Sequence, residues 1–248
     1  MRSNISGYLR AAAAVLAVSA LGACAAQPGG LAQTGARVGL ARVALQSGNP
    51  AGALRLADRA LARHKGDPAA LLIRAEALSR LGQTGPARAA FAQVLDDQPD
   101  SVPALVGLGR LRLVDAPDRA AVLFRRALAE APGNTAALTD LGVALDLQGQ
   151  HAAAQASYRL ALAANPTLVP ARVNLALSLA QSGQGPAAVA MMAPMAGSQA
   201  AGPKLREDYA AVLTMAGQSR KAGAVLAGEM PPAEAAAALA AYAAGSGK

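Results

Sequence analysis

The chain is poor in the groups most enzymes use. Its 248 residues hold one cysteine, two histidines, no tryptophan and only 2% aromatics. A single thiol, Cys24, excludes a disulfide framework within the chain. His64 and His151 lie far apart, one near the end of a helical stretch and one in a turn, and both read as exposed surface residues. A metal site wants more ligands than these. No G-x-S-x-G marks a nucleophile elbow. The terminal "GSGK" has Tyr242 where a phosphate loop needs its first glycine, and no strand precedes it. The pairs Asp96–Asp97 and Glu207–Asp208 read as solvated. The expectation is a non-enzyme with no metal, cofactor or small-molecule substrate. No stretch alternates Val, Ile and Thr as a strand would. What abounds is alanine and leucine, both strong helix formers, so the class is all-α. An Ala/Leu core buries little area per residue and must bring helix backbones close together.

Long apolar runs are also missing. Residues 11–23, "AAAAVLAVSALGA", are too short for a permanent membrane helix, which needs about 20 residues. They follow "MRSNISGYLR", which carries Arg2 and Arg10 and no acid. This is the pattern of a signal peptide over 1–23. It ends in "LGAC", Leu21 to Cys24, and resembles the bacterial lipobox. The resemblance implies cleavage before Cys24 and acyl chains on its thiol; ordinary cleavage nearby with a free thiol is the other reading. More than one acyl chain gives stable anchoring. Ala25, rather than Asp, leans in such lipoproteins towards the outer membrane, facing the periplasm. Removing 1–23 lowers the net charge from +8 to +6.

The rest of the chain repeats. With Thr135 as position 1, Leu138, Leu141, Gly142, Leu145 and Gly149 fall at positions 4, 7, 8, 11 and 15. Ala154, Tyr158, Ala161 and Pro166 fall at 20, 24, 27 and 32. The register recurs in units 34–67, 68–101, 102–134, 135–168, 169–202 and 203–232. Position 8 is Ala41, Ala75, Gly109, Gly142, Ala176 and Ala210; position 20 is Ala53, Ala87, Ala120, Ala154, Ala188 and Ala222. Phe91, Phe124 and Tyr158 stand at position 24. Gly48, Gly82, Gly149, Gly183 and Gly217 stand at position 15. The pattern resembles the tetratricopeptide repeat, a helix–turn–helix unit of about 34 residues. That implies a right-handed α-solenoid of about six units, each with an A and a B helix, over 34–232. A lipidated linker would occupy 24–33, and a capping helix with a frayed tail 233–248. The small residues would sit where helices A and B cross, and the aromatics between neighbouring units. Glycine would end each A helix in a left-handed conformation. Pro50, Pro86 and Pro186 would start B helices, and Pro99, Pro132 and Pro166 would break the chain after them. Three departures stand out. Unit 102–134 reads "LVDAPDRAA" and predicts an A–B turn one residue shorter. Arg74 replaces an apolar position 7. Pro194 predicts a short or broken B helix in unit 169–202.

In this family positions 5, 9 and 12 of helix A line a concave face. Here they include Arg42, Leu72, Glu76, Val106, Arg110, Leu113, Val143, Val173 and Leu177. Exposed, they would form an apolar strip edged by Arg42, Arg80 and Arg110, suited to an extended or helical segment of a protein partner. Otherwise some of them pack against a neighbouring A helix. The Lys and Asn set that clamps a C-terminal carboxylate in chaperone-binding members is absent; Asn174 alone is insufficient. Arg55, Arg59, Arg63, Arg88, Arg119, Arg125, Arg126 and Arg159 fall mainly on B helices. They form a solvated face or one that touches anionic lipid near the anchor. No aromatic platform accompanies them, so no nucleic acid is expected. Length, lipobox and unit count resemble pilotin-type lipoproteins of type IV pilus systems and the repeat lipoprotein of tight-adherence (Flp) pilus machines. The resemblance implies a secretin subunit as partner, with membrane residence through the lipid anchor. A scaffold for cell-wall hydrolases or other envelope complexes is the alternative.

Overall fold

The computed structural model describes residues 29–245. The expected signal peptide and Cys24 therefore lie outside the described residues. Among these residues there are thirteen α-helices and no strand. The first six are α1 (Gly29–Gln46), α2 (Pro50–Leu61), α3 (Pro68–Arg80), α4 (Thr84–Asp97), α5 (Val102–Arg110) and α6 (Pro117–Glu130). Then come α7 (Thr135–Asp146), α8 (His151–Ala164), α9 (Val169–Gln181) and α10 (Gly185–Ala196). Last are α11 (Pro203–Met215), α12 (Ser219–Leu226) and α13 (Pro232–Gly245). Helices adjacent in sequence pack on one another throughout. Each odd-numbered helix up to α11 also touches the next odd-numbered one. The A helices therefore make one layer and the B helices the other, the arrangement of an all-α solenoid.

Local chemistry sets the boundaries. The five turn glycines, Gly48, Gly82, Gly149, Gly183 and Gly217, all have φ between 70° and 80°. This left-handed conformation is open to glycine without penalty and stops each A helix. Asn49, Asp67 and Asn134 cap α2, α3 and α7 by accepting from Gly52, Ala70 and Ala137 N–H at 2.8–2.9 Å. All ten alanines at positions 8 and 20 are fully buried, and Gly109 and Gly142 are buried with them.

The aromatics do more than bridge neighbouring units. A Cβ on Gly142 would stand 2.3 Å from the Tyr158 ring, and one on Gly109 2.5 Å from Phe124. These two rings lie on the A helix of their own unit, and Tyr158 also borders the cleft to Asn174 and Leu177 of the next unit. Phe91 reaches forward, to within 2.3 Å of a Cβ on Gly107 in the next unit. Where a ring covers position 8, that position is glycine. Where position 24 is Ala57, Met192 or Leu226, position 8 is alanine. Ring and hydrogen, or smaller side chain and methyl, fill the same volume.

Four further differences have local causes. The α5–α6 connection spans residues 111–116 and is longer than the other A–B turns, not shorter, because α5 ends early at Arg110. Without a turn glycine the chain descends through tight i→i−3 bonds, Arg112 N–H to Gly109 and Leu113 N–H to Arg110. Leu113 thus leaves helix A. α10 runs through Pro194 unbroken; the helix ends two residues later, so the lost N–H bond has little helix left to disturb. α1 begins at Gly29, inside the stretch 24–33 expected as linker, since no proline interrupts 29–49. Arg74 tilts out to Asp58, Nε to Oδ1 3.1 Å. At the C-terminus α13 covers α11 and α12, with Ala235 buried and Leu239 and Tyr242 packed against Ala210, Leu213 and Leu226.

Candidate functional site

The concave face divides in two. In its N-terminal half, two adjoining clefts of about 400 and 470 Å³ share Glu76, Arg80 and Pro103 as lining. Arg42, Leu72 and Ile73 line one; Val106, Gly107 and Arg110 line the other. Arg42, Arg80 and Arg110 are exposed around one carboxylate, Glu76. Burial raises the Glu76 carboxyl above its ordinary value, against the pull of Arg80, Arg42 and Arg110. Arg80 donates to the Leu45 carbonyl at 2.7 Å, and Arg110 reaches Asp140 at 2.6 Å. Burial likewise raises Asp140, opposed by Arg110. The backbone and acidic partners hold these two guanidiniums at the cleft wall, and Arg42 lines the same cleft as Arg80.

In the C-terminal half the lining is more apolar. Val143, Leu147, Asn174 and Leu177 border a cleft of about 180 Å³. Val169, Val173, Asn174 and Leu205 border another of about 440 Å³, edged by Lys204 and Asp208, which pair at 2.6 Å.

The expected apolar strip is thinner than its sequence spacing suggested. Val106 and Val173 form cleft floor at only 7% and 8% exposure. Val38, Leu45, Thr139 and Ala180 are buried too, so positions 5 and 12 mostly serve packing between A helices. Leu72, Val143, Asn174 and Leu177 are half-buried at the surface. Leu113 packs against the core from the α5–α6 connection and leaves the concave set.

One cluster was invisible in the sequence. Asp146 Oδ2 accepts from the Tyr158 hydroxyl at 2.9 Å. Its Oδ1 accepts from the Ser178 hydroxyl at 2.7 Å and lies 2.9 Å from His151 Nδ1. One carboxylate thus ties α7, α8 and α9 together across two units. Burial first, and Asp146 second, raise the Tyr158 hydroxyl, which stays protonated and donating. His151 is accordingly held at the start of α8, not simply exposed. The set has the residue types of a hydrolase triad without its order. Serine and histidine both bond the aspartate rather than each other, so the imidazole has no hydroxyl to activate. Among the described residues no three His, Cys, Asp or Glu gather as metal ligands.

The convex arginines also differ from one another. Arg88 is no solvated charge. It donates to the Leu111 carbonyl at 2.5 Å and to Asp115 at 2.7 Å, clamping the α5–α6 connection and lowering the Asp115 pKa. Arg126 bonds the Pro99 carbonyl at 2.7 Å. Arg55, Arg59, Arg63, Arg119, Arg125 and Arg159 are exposed.

A stack of helix pairs that leaves clefts along its layer of A helices is the architecture of a protein-interaction scaffold. Two family models, both described as tetratricopeptide repeat, match residues 44–111 and 115–169. The chain is a tetratricopeptide-repeat protein, and neither model describes a catalytic family. No curated protein matches it. Among solved structures it is similar to PilW, described as a widely conserved type IV pilus biogenesis factor. Identity is 23% and the TM-score 0.73, covering 82% of this chain and 96% of that one. A thermophilic repeat protein of Thermus thermophilus matches at 23% identity and TM-score 0.61, over 73% and 98% of the two chains. A repeat protein of Parabacteroides merdae matches at 16% and 0.68, over 88% and 94%. At these identities the likeness is one of fold.

Proposed function

We propose that the chain is a lipoprotein of the outer membrane, facing the periplasm, that assists assembly of a type IV or Flp-type pilus. Acyl chains on Cys24 supply membrane residence. The concave face holds a segment of a secretin subunit or of another envelope protein. The observation that carries this reading is co-extension: nearly all of the PilW chain overlays most of this one, rather than a few repeats out of many. The sequence around Cys24 adds the export and lipidation signal.

The clefts favour a segment of particular chemistry. Arg42, Arg80 and Arg110 around one carboxylate suit acidic side chains, and Val143 and Leu177 suit aliphatic ones further along. A chain lying along the face would meet the charged half and the apolar half in turn.

The test is co-purification of the full-length protein from its native envelope, probed for secretin. Recovery is expected for the wild type and sharply reduced recovery for Arg42→Glu, at an exposed site, and for Val143→Arg, at a half-buried site on the cleft border. Loss of the protein should also reduce secretin multimers in the outer membrane. Unchanged multimers, or recovery of cell-wall hydrolases instead, would overturn the pilus reading. Cys24→Ser should release the protein from membranes.

A further inference from the structure

The two ends of the solenoid are finished differently. At the C-terminal end α13 covers the last pair. At the N-terminal end nothing among the described residues covers α1. Val38, Ala41 and Leu45 face the core; on the opposite flank, at 3.6 residues per turn, lie Ala36, Leu40 and Val43. Leu40 and Val43 are each 58% exposed. The adjoining helix continues this outer end. Leu54 and Leu61 of α2 pack towards the second unit. Arg59, and Arg63 just beyond the helix, lie on the opposite flank and are exposed.

Charge is concentrated at the same end. Residues 34–67 hold five arginines and one lysine against Asp58 and Asp67, a net +4 of the +6 that remains without 1–23. Asp58 is already paired with Arg74 of the next unit. Among the described residues Arg55, Arg59, Arg63 and Lys65 have no acidic partner. Cationic residues further along are more often compensated, as in Arg88–Asp115, Arg110–Asp140 and Arg206–Glu229.

Distance supplies the occupant. Only four residues separate Cys24 from Gly29, so the five Cα steps between them span at most about 18 Å when fully extended. We infer that the exposed end of the first helix pair rests on the anionic phospholipid bilayer into which Cys24 is anchored. Leu40 and Val43 enter the interface, and Arg59, Arg63 and Lys65 meet lipid phosphates. The contact is a second membrane signal beside the acyl chains. It holds the solenoid by its end, so that the concave face projects from the membrane. The inference rests on the lipid anchor proposed above.

The test uses the mature lipoprotein reconstituted into vesicles of phosphatidylcholine, with or without phosphatidylglycerol, read by hydrogen exchange along the whole chain. Amides of residues 36–63 should be more protected on the anionic vesicles than on the neutral ones, and more than in detergent. Those of α11–α13 should not change. Leu40→Glu with Val43→Glu should abolish the extra protection, as should Arg59→Gln with Arg63→Gln. Each basic residue near an anionic surface contributes roughly fivefold to binding. All four sites are exposed, so the variants keep the fold. Cosedimentation with vesicles at high salt reads the anchor separately. If the protein sediments but residues 36–63 exchange alike on both vesicles, the docking inference fails and the anchor stands. If it does not sediment, the anchor reading fails; binding of that same protein to anionic vesicles at low salt, lost in the Glu variant, would still support the surface. Protection that instead rises with protein concentration in the absence of vesicles would mean a second copy covers the face, and would overturn the inference.

Discussion

The fourth helix pair, α7–α8, and the first, α1–α2, follow one plan and are held by different means. In the fourth, a hydrogen at Gly142 lets the Tyr158 ring pack against the A helix, and Asp146 gathers three side chains from two other helices. In the first, Ala41 faces Ala57, no polar network crosses the pair among the described residues, and one flank of α1 is bare. In a solenoid each unit is stabilised by its own packing and by its neighbours. The fourth unit has strong terms on both counts. The first packs closely within its own pair but lacks the polar tie and has one neighbour. The gradient teaches where the molecule should open: the end with one neighbour is the end that most needs a partner.

Filling the fourth unit's missing methyl should have the largest effect. A Cβ at residue 142 would stand 2.3 Å from a ring that is 1% exposed and has nowhere to go. Gly142→Ala is expected to cost about 2–3 kcal/mol by overpacking. Urea unfolding would measure it. Adding Tyr158→Leu should recover part of the loss, because the two sites share one volume. The reverse change at Ala41→Gly should cost only about 1 kcal/mol, the helix-propensity difference.

Next in size is the carboxylate. Asp146→Ala leaves the Tyr158 and Ser178 hydroxyls without their acceptor inside a nearly closed contact. A loss of about 2 kcal/mol is expected, since buried donors left unpaired carry their desolvation cost. Hydrogen exchange should quicken across α7, α8 and α9 together and spare α1–α4. Faster exchange in α7 alone would show that the cluster is not the tie between units.

What was legible in the sequence was what each unit needs by itself. Gly149 announces its turn because a left-handed residue is required there whatever surrounds it. Ala154 announces a crossing because no larger side chain fits. The pairing of Gly142 with Tyr158 was present in the residues but not legible as a pair, since spacing alone does not say which way a ring leans. The Asp146 cluster was not legible: Tyr158 and Ser178 meet it only after α8 folds back and α9 stacks. Leu113 was misplaced because helix A of its unit stops early for want of a glycine. The concave strip was overcounted for a similar reason. Positions 5 and 12 face the groove in one unit's frame and are then covered by the next A helix, as Val38 and Leu45 are.

Turn glycines give a third, smaller contrast. Gly149 has φ 70° and Gly48 has φ 76°, both with open space around a would-be Cβ. Alanine at either site should cost about 1–2 kcal/mol for the left-handed backbone alone. In the fourth unit this appears as a loss of global stability. In the first it should appear chiefly as local opening of α1–α2, with a smaller change in the global midpoint. Equal shifts in the midpoint would mean that the solenoid unfolds as one cooperative block.

The smallest effect, and the finest probe, is at the caps. Asn49 and Asn134 each accept one backbone N–H, from Gly52 at 2.8 Å and Ala137 at 2.9 Å. Replacing either with Ala removes about 1 kcal/mol from the start of its helix. Asn134 starts an A helix flanked by neighbours on both sides, so its loss spreads through α5–α9 and emerges as a modest fall in overall stability. Asn49 starts α2 at the open end, where opening already competes with packing, so its loss should raise exchange in α1–α2 several-fold and leave α7–α9 untouched. On anionic vesicles that rise should shrink, because a surface that binds the closed end opposes its opening. If Asn49→Ala exchanges equally fast with and without vesicles, the end of the solenoid gains nothing from the membrane, and the difference between the two units is internal to the fold.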